Sequence, residues 1–137
     1  MIVVLIMATE TLQKVSKISK EKLKEIAVRL SKKHGGVAAC ILNLVDKTIL
    51  AENIPEGIDK ERFLRVAFGF GSILSKHTPE LGIGNFEEAI IKGNRGWLVI
   101  IHRDGLAVVG VFSMDVNLAL AETATKNSAL ELWGLLK

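Results

Sequence analysis

Residues 85–112 read NFEEAIIKGNRGWLVIIHRDGLAVVGVF. Three apolar runs, NFEEAIIKG, GWLVIIHR and LAVVGVF, are separated only by short polar turns. Asn94–Gly96 turns the first pair, and Asp104–Gly105 turns the second. Asp-Gly between apolar runs is a strong tight-hairpin signal. The stretch therefore predicts three consecutive antiparallel strands.

Upstream, VAACILNL at 37–44 is apolar until Asn43. Such a run suits a strand covered on both faces. VDK makes a turn, and TILAEN at 48–53 reads as the returning strand. Helices flank both groups. Residues 19–34 place Leu23, Ile26, Ala27 and Leu30 on one face, with Ser19 as N-cap and Gly35 as the stop. His34 falls in its last turn beside Lys32 and Lys33, where cations suit the helix dipole. Residues 60–77 form a second helix, capped by Asp59 and ended at Thr78-Pro79. A third spans 117–135, capped by Asp115 or Ser113. The predicted class is α+β: a five-stranded antiparallel sheet with helices on both faces, in the order α-β-β-α-β-β-β-α. No strand–helix–strand unit carries the phosphate turn of a doubly wound sheet.

The chain has 137 residues, the size of one domain, and its 49% hydrophobic content is enough for a full core. The expected division is an N-terminal extension over 1–18 and a domain over 19–137. The extension opens with MIVVLIM, which is too short to span a bilayer or serve as a signal core. It reads as an added strand, a helix start or, preferably, a tail that packs on something. Residues 9–17 either extend the 19–34 helix or form a turn of their own. A single cysteine, Cys40, sits in an apolar run with no cationic neighbour. It reads as a buried core residue in a reducing, cytoplasmic protein.

Residues 8–34 hold eight Lys or Arg against three Glu. A basic stretch is ordinarily a solvated helix face; its other use is contact with an anionic membrane surface. No aromatic residue is interleaved with these lysines, so nucleic acid is not an expected partner.

Several motifs fail. GFGSILSK at 69–76 lacks the Gly-Lys of a phosphate-binding loop, and a dinucleotide pattern would need a third glycine where Leu74 stands. His102-Arg103-Asp104 resembles a kinase catalytic loop, but no metal-binding Asn follows. His34, His77 and His102 are scattered, with no ligand spacing. Glu87 and Glu88 are adjacent in a strand and so point to opposite faces. No catalytic residue, cofactor or metal site is expected, and the chain does not read as an enzyme.

The helix at 60–77 is more informative. Its apolar residues cover an arc of roughly 220°, about twice the stripe a surface helix needs. A sheet face covers only part of that arc, so a second surface must bury the rest. Gly69 and Gly71 cost about 0.5–1 kcal/mol each inside a helix. Close approach of another backbone would offset this, and a second copy of the chain is the simplest source. The strand that follows could pair with its own copy if it lies at an edge. Its glutamates and Lys92 would otherwise protect that edge. The expected dimer interface comprises Phe63, Val66, Ala67, Phe70, Gly71 and Leu74 on the helix, then Phe86, Glu88 and Ile90 on the strand. Gly71 is expected to meet the partner more closely than Gly69.

HGGVAACILNLVDKTILAEN, an apolar small-residue helix, and LGIGNFEEAIIKGNRGWLVIIHRDGLAVVGVF together resemble the roadblock/dynein light-chain family over about residues 19–136. The resemblance rests on element order, short hairpins and the glycine-bearing linker before the third strand. It implies a homodimer, or a heterodimer with a paralogue, in which middle helices pack together and third strands join two sheets. It also implies a non-catalytic scaffold or regulator of a Ras-like small GTPase. Two other readings stay open. One is a small-molecule-sensing or other interaction domain of similar architecture. The other is an electrostatic binder acting through its basic first helix.

Overall fold

A computed structural model describes residues 2–33 and 35–137, with side chains described from Thr9 onward. The elements in order are α1 (Ile2–Val15), α2 (Lys20–Lys32), β1 (Gly36–Asn43), β2 (Thr48–Asn53), α3 (Lys60–His77), β3 (Glu88–Gly93), β4 (Gly96–Arg103), β5 (Leu106–Ser113) and α4 (Leu118–Leu135). A short 3₁₀ turn, Thr78–Leu81, follows α3. All five strands form one antiparallel sheet in the order β2-β1-β5-β4-β3. The expected class and element order are therefore observed, with α1 added in front.

Local chemistry explains most boundaries. The Ser19 hydroxyl accepts the Lys22 N–H at 3.2 Å, and the Asp59 carboxylate accepts the Arg62 N–H at 3.1 Å, so both helices start where an N-cap stands. Asp104 and Gly105 both take positive φ, +50° and +88°, and close the β4–β5 hairpin. Asn43 is buried, yet its Oδ1 accepts the N–H groups of Val45 and Asp46, which turns the β1–β2 corner.

Three boundaries differ from expectation. Residues 9–15 belong to α1, a separate helix, and residues 16–19 break it from α2. Leu12, Val15 and Ile18 pack on the core beneath α2 and α4. Met1 and the side chains of residues 2–8, and so whatever the start of MIVVLIM packs on, lie outside the described residues, as does His34. The α4 cap is Asn117, whose Oδ1 accepts the Ala119 N–H at 2.7 Å. Ser113 still belongs to β5, and Asp115 sits in the preceding turn. Finally, β3 begins at Glu88, three residues later than read, because Phe86 turns inward instead of continuing the strand.

The sheet has a core on each face. Beneath α2 and α4 lie Leu23, Ile26, Leu30, Ile41, Val108, Phe112 and Leu132. Ala121, Ala124 and Ala129 let α4 approach closely, and the Thr125 hydroxyl donates to the Ala121 carbonyl at 2.9 Å. On the opposite face α3 packs with Leu64 and Ala67 over Cys40, Leu42, Ile100 and Val109. Burial pushes the Cys40 thiol up to about 12. Among the described residues, no helix is long and apolar enough to cross a membrane.

This topology positions the rest. The chain leaves β2 at one edge of the sheet and re-enters at β3, the other edge. Residues 54–87 must therefore traverse one face, and α3 is that crossing. GFGSILSK lies wholly within α3 and forms no loop.

Candidate interaction face

α3 buries one side against the sheet through Leu64, Ala67 and Gly71. Val66, Phe70 and Ile73 recur at i, i+4 and i+7 on another side, and they are 49%, 41% and 58% exposed. Phe63 and Leu74 line the seam between these two sides, half-buried. The apolar arc inferred from sequence is thus split: half packs on this sheet and half is open. Beyond the helix, Leu81 and Ile83 in the connector are the most exposed large apolar side chains described. The connector then delivers the chain to β3, which among the described strands pairs with β4 alone and leaves its other edge unpaired.

The entry into β3 is fixed by His102. Its ring stacks on Phe86, with centroids 5.1 Å apart and planes 9° from parallel. Its Nδ1–H donates to the Phe86 carbonyl at 2.7 Å, and its Nε2 accepts the Gly105 N–H at 3.2 Å. This partner set selects the neutral tautomer. Burial accordingly holds its pKa below the usual histidine value. The Ser75 hydroxyl lies 3.4 Å from the same Nε2. The pair is a structural tie between the end of α3, the connector and the β4–β5 turn, because both ring nitrogens already serve backbone groups. His102-Arg103-Asp104 is a hairpin corner.

The nine residues expected at an interface fall into three groups. Val66 and Phe70 stand on the open side of α3, with Phe63 and Leu74 at its seam. Glu88 and Ile90 lie on the free-edge strand, but their side chains face the α4 layer, because they pair with Ile101 and Val99 of that core. Glu88 sits 3.5 Å from the Lys126 ammonium. A hydrogen bond with Glu122, then partial burial, holds its carboxyl above the ordinary range. Ala67, Gly71 and Phe86 are buried within this chain's own core. A Cβ on Gly71 would lie 2.9 Å from Leu44 Cδ1, so the close approach that glycine permits is to Leu44. A Cβ on Gly69 would meet nothing within 4 Å of this chain. Ile73, Leu81 and Ile83 were not among the expected residues. Ile73 was legible as the continuation of the Val66–Phe70 spacing; for Leu81 and Ile83 the only signal is two apolar residues among glycines.

A five-stranded antiparallel sheet crossed by one helix on one face, with α2 and α4 on the other, is the Roadblock/LC7 fold. No family model matches the sequence, and no curated protein matches it. Solved structures do match. MglB of Myxococcus xanthus superimposes with a TM-score of 0.76 at 16% identity, over 88% of this chain and 95% of that one. The gliding protein MglB of Thermus thermophilus gives 0.70 at 17%, over 85% and 89%. A Roadblock/LC7 domain of Streptomyces avermitilis gives 0.67 at 13%, over 83% and 97%. At these identities the likeness establishes the fold, and the resemblance read from the sequence holds at that level.

Proposed function

We propose that this chain is a dimeric, non-catalytic scaffold or regulator that binds a Ras-like small GTPase. The observation that carries the reading is the open apolar side of α3, Val66, Phe70 and Ile73, set beside an unpaired strand edge. A monomer gains nothing from exposing both together, whereas a two-fold partner covers both at once. The GTPase comes from the family resemblance, and the MglB fold supports it. No side chain is assigned to chemistry: the cysteine is buried, and among the described residues the one Ser–His contact, Ser75–His102, involves a ring whose nitrogens serve backbone groups. The single buried thiol fits a cytosolic setting.

Two measurements test this. Light scattering at micromolar concentration is expected to give twice the 14.9 kDa chain mass, and a monomer mass refutes the dimer. Each small GTPase of the same genome is then assayed for binding and for single-turnover hydrolysis. No binding and no change in rate refutes the partner.

A further inference from the structure

The sheet has a second free edge. Among the described strands β2 pairs only with β1, so alternate N–H and C=O groups along Thr48–Asn53 face outward. Lysines straddle this edge from both layers. Lys20 and Lys24 reach it from α2, and Lys60 reaches it from α3. Together with Ile49, Leu50 and Glu52 they line one shallow groove along the strand. The Lys24 ammonium donates to the Glu52 carbonyl, and Lys60 pairs with the Glu52 carboxylate at 2.8 Å. Among the described residues lining the groove, Glu52 is the only acid, against three lysines. Ile49 stands 45% exposed on the α3 side, as an apolar foothold.

We propose that the β2 edge docks an extended acidic peptide as a sixth strand, with its carboxylates held by Lys20, Lys24 and Lys60. Strand addition supplies the backbone hydrogen bonds, and the lysines supply the selectivity. A bulge leaves Leu50 without a partner on β1, between the pairs Ile41–Ala51 and Leu42–Ile49. Lysines and bulges are also the devices that keep edges from pairing indiscriminately. Here they disfavour a second copy, because joining two β2 edges brings six lysines together. A strand of opposite charge removes that penalty, and it displaces one flexible ammonium from the Glu52 carbonyl. The site does not depend on the dimer, since β3 lies at the far side of the sheet.

The test uses the full chain and the peptide fluoresceinyl-Glu-Val-Asp-Glu-Val-Asp-Glu-amide, labelled at its N-terminus, whose carboxylates fall on both faces of a strand. Fluorescence anisotropy at low salt is expected to show saturable binding that weakens with added salt. The double variant Lys24→Glu/Lys60→Glu is expected to weaken it at least about tenfold. The same peptide N-methylated at alternate amides is expected not to bind the parent protein, which tests the strand hydrogen bonds without touching the fold. Amide exchange is expected to slow at 48–53 on peptide addition. The proposal is overturned by no saturable binding up to about 1 mM, by equal binding of the N-methylated or a lysine-for-acid peptide, or by protection elsewhere. An edge already protected in the peptide-free protein overturns it as well, since something else then covers β2.

Discussion

Replacing Phe70 by alanine isolates the open side of α3. A fully exposed phenylalanine side chain presents roughly 200 Å², so at 41% exposure about 80 Å² stands open per copy. In the proposed two-fold dimer the residue is used twice, which makes about 160 Å² of apolar surface lost from the interface. At about 25 cal/mol per Å² the ceiling is about 4 kcal/mol per dimer. Alanine keeps its Cβ and neighbouring side chains relax, so the expected loss is about 2–4 kcal/mol, or about 30- to 1000-fold in dimer Kd. Phe70 belongs to neither buried core cluster, so monomer stability should hardly change. The assay is sedimentation equilibrium over a dilution series, with urea unfolding under monomeric conditions as the control. Leu120→Ala is the matched comparison: it is 46% exposed but lies on α4, across the sheet, and should leave Kd unchanged. A Phe70→Ala Kd within about threefold of the parent refutes the reasoning, as does an equal effect of Leu120→Ala.

The two helix glycines should respond differently when measured as monomers. Gly69→Ala is expected to stabilise by about 0.5–1 kcal/mol in urea, because its Cβ enters open space. Gly71→Ala is expected to gain less than Gly69→Ala, because its Cβ requires the Leu44 side chain to shift, and equal gains refute that placement. His102 sits with its pKa below its ordinary 6.5, so the unfolded chain takes up a proton first as pH falls. Its contribution to stability is full above about 6.5 and is lost as pH drops toward the folded pKa. Chemical unfolding between pH 7.5 and 5 should show this slope, and His102→Gln should flatten it. Cys40, with its thiol near 12, should react with a disulfide reagent only on unfolding. Fast labelling under native conditions contradicts its burial.

The fold was legible because its signals are local. Asp104-Gly105 fixed one hairpin, Ser19 and Asp59 marked two helix starts, and the even apolar run at 37–44 placed a strand covered on both faces, as β1 is from Ala38 to Asn43. The errors are non-local. Nothing within NFEE announces that Phe86 leaves the strand, because the reason is the His102 ring from β4. Asn117 took the α4 cap from two residues of similar chemistry because β5 runs on through Ser113.

The open apolar side of α3 was legible in extent but not in phase. Counting apolar residues around α3 gave an arc too wide for one sheet, and the split into a buried and an open half follows from it. Which half faces the sheet depends on the rotation of the helix about its axis. That rotation is set by Leu44, beyond the β1 strand, pressing where Gly71 leaves room. The glycine taken from the sequence as an opening toward a partner is therefore the notch that seats α3 on its own sheet. Seating it there turns Val66, Phe70 and Ile73 outward, so Gly71 bears on the proposed interface indirectly. A larger residue at 71 should shift α3 off the sheet and lower monomer stability, while one at 69 should weaken the dimer without lowering monomer stability. Comparing Gly71→Leu and Gly69→Leu by monomer unfolding and dimer Kd separates the two roles. A dimer-specific effect at 71 with an unchanged monomer would restore the direct contact.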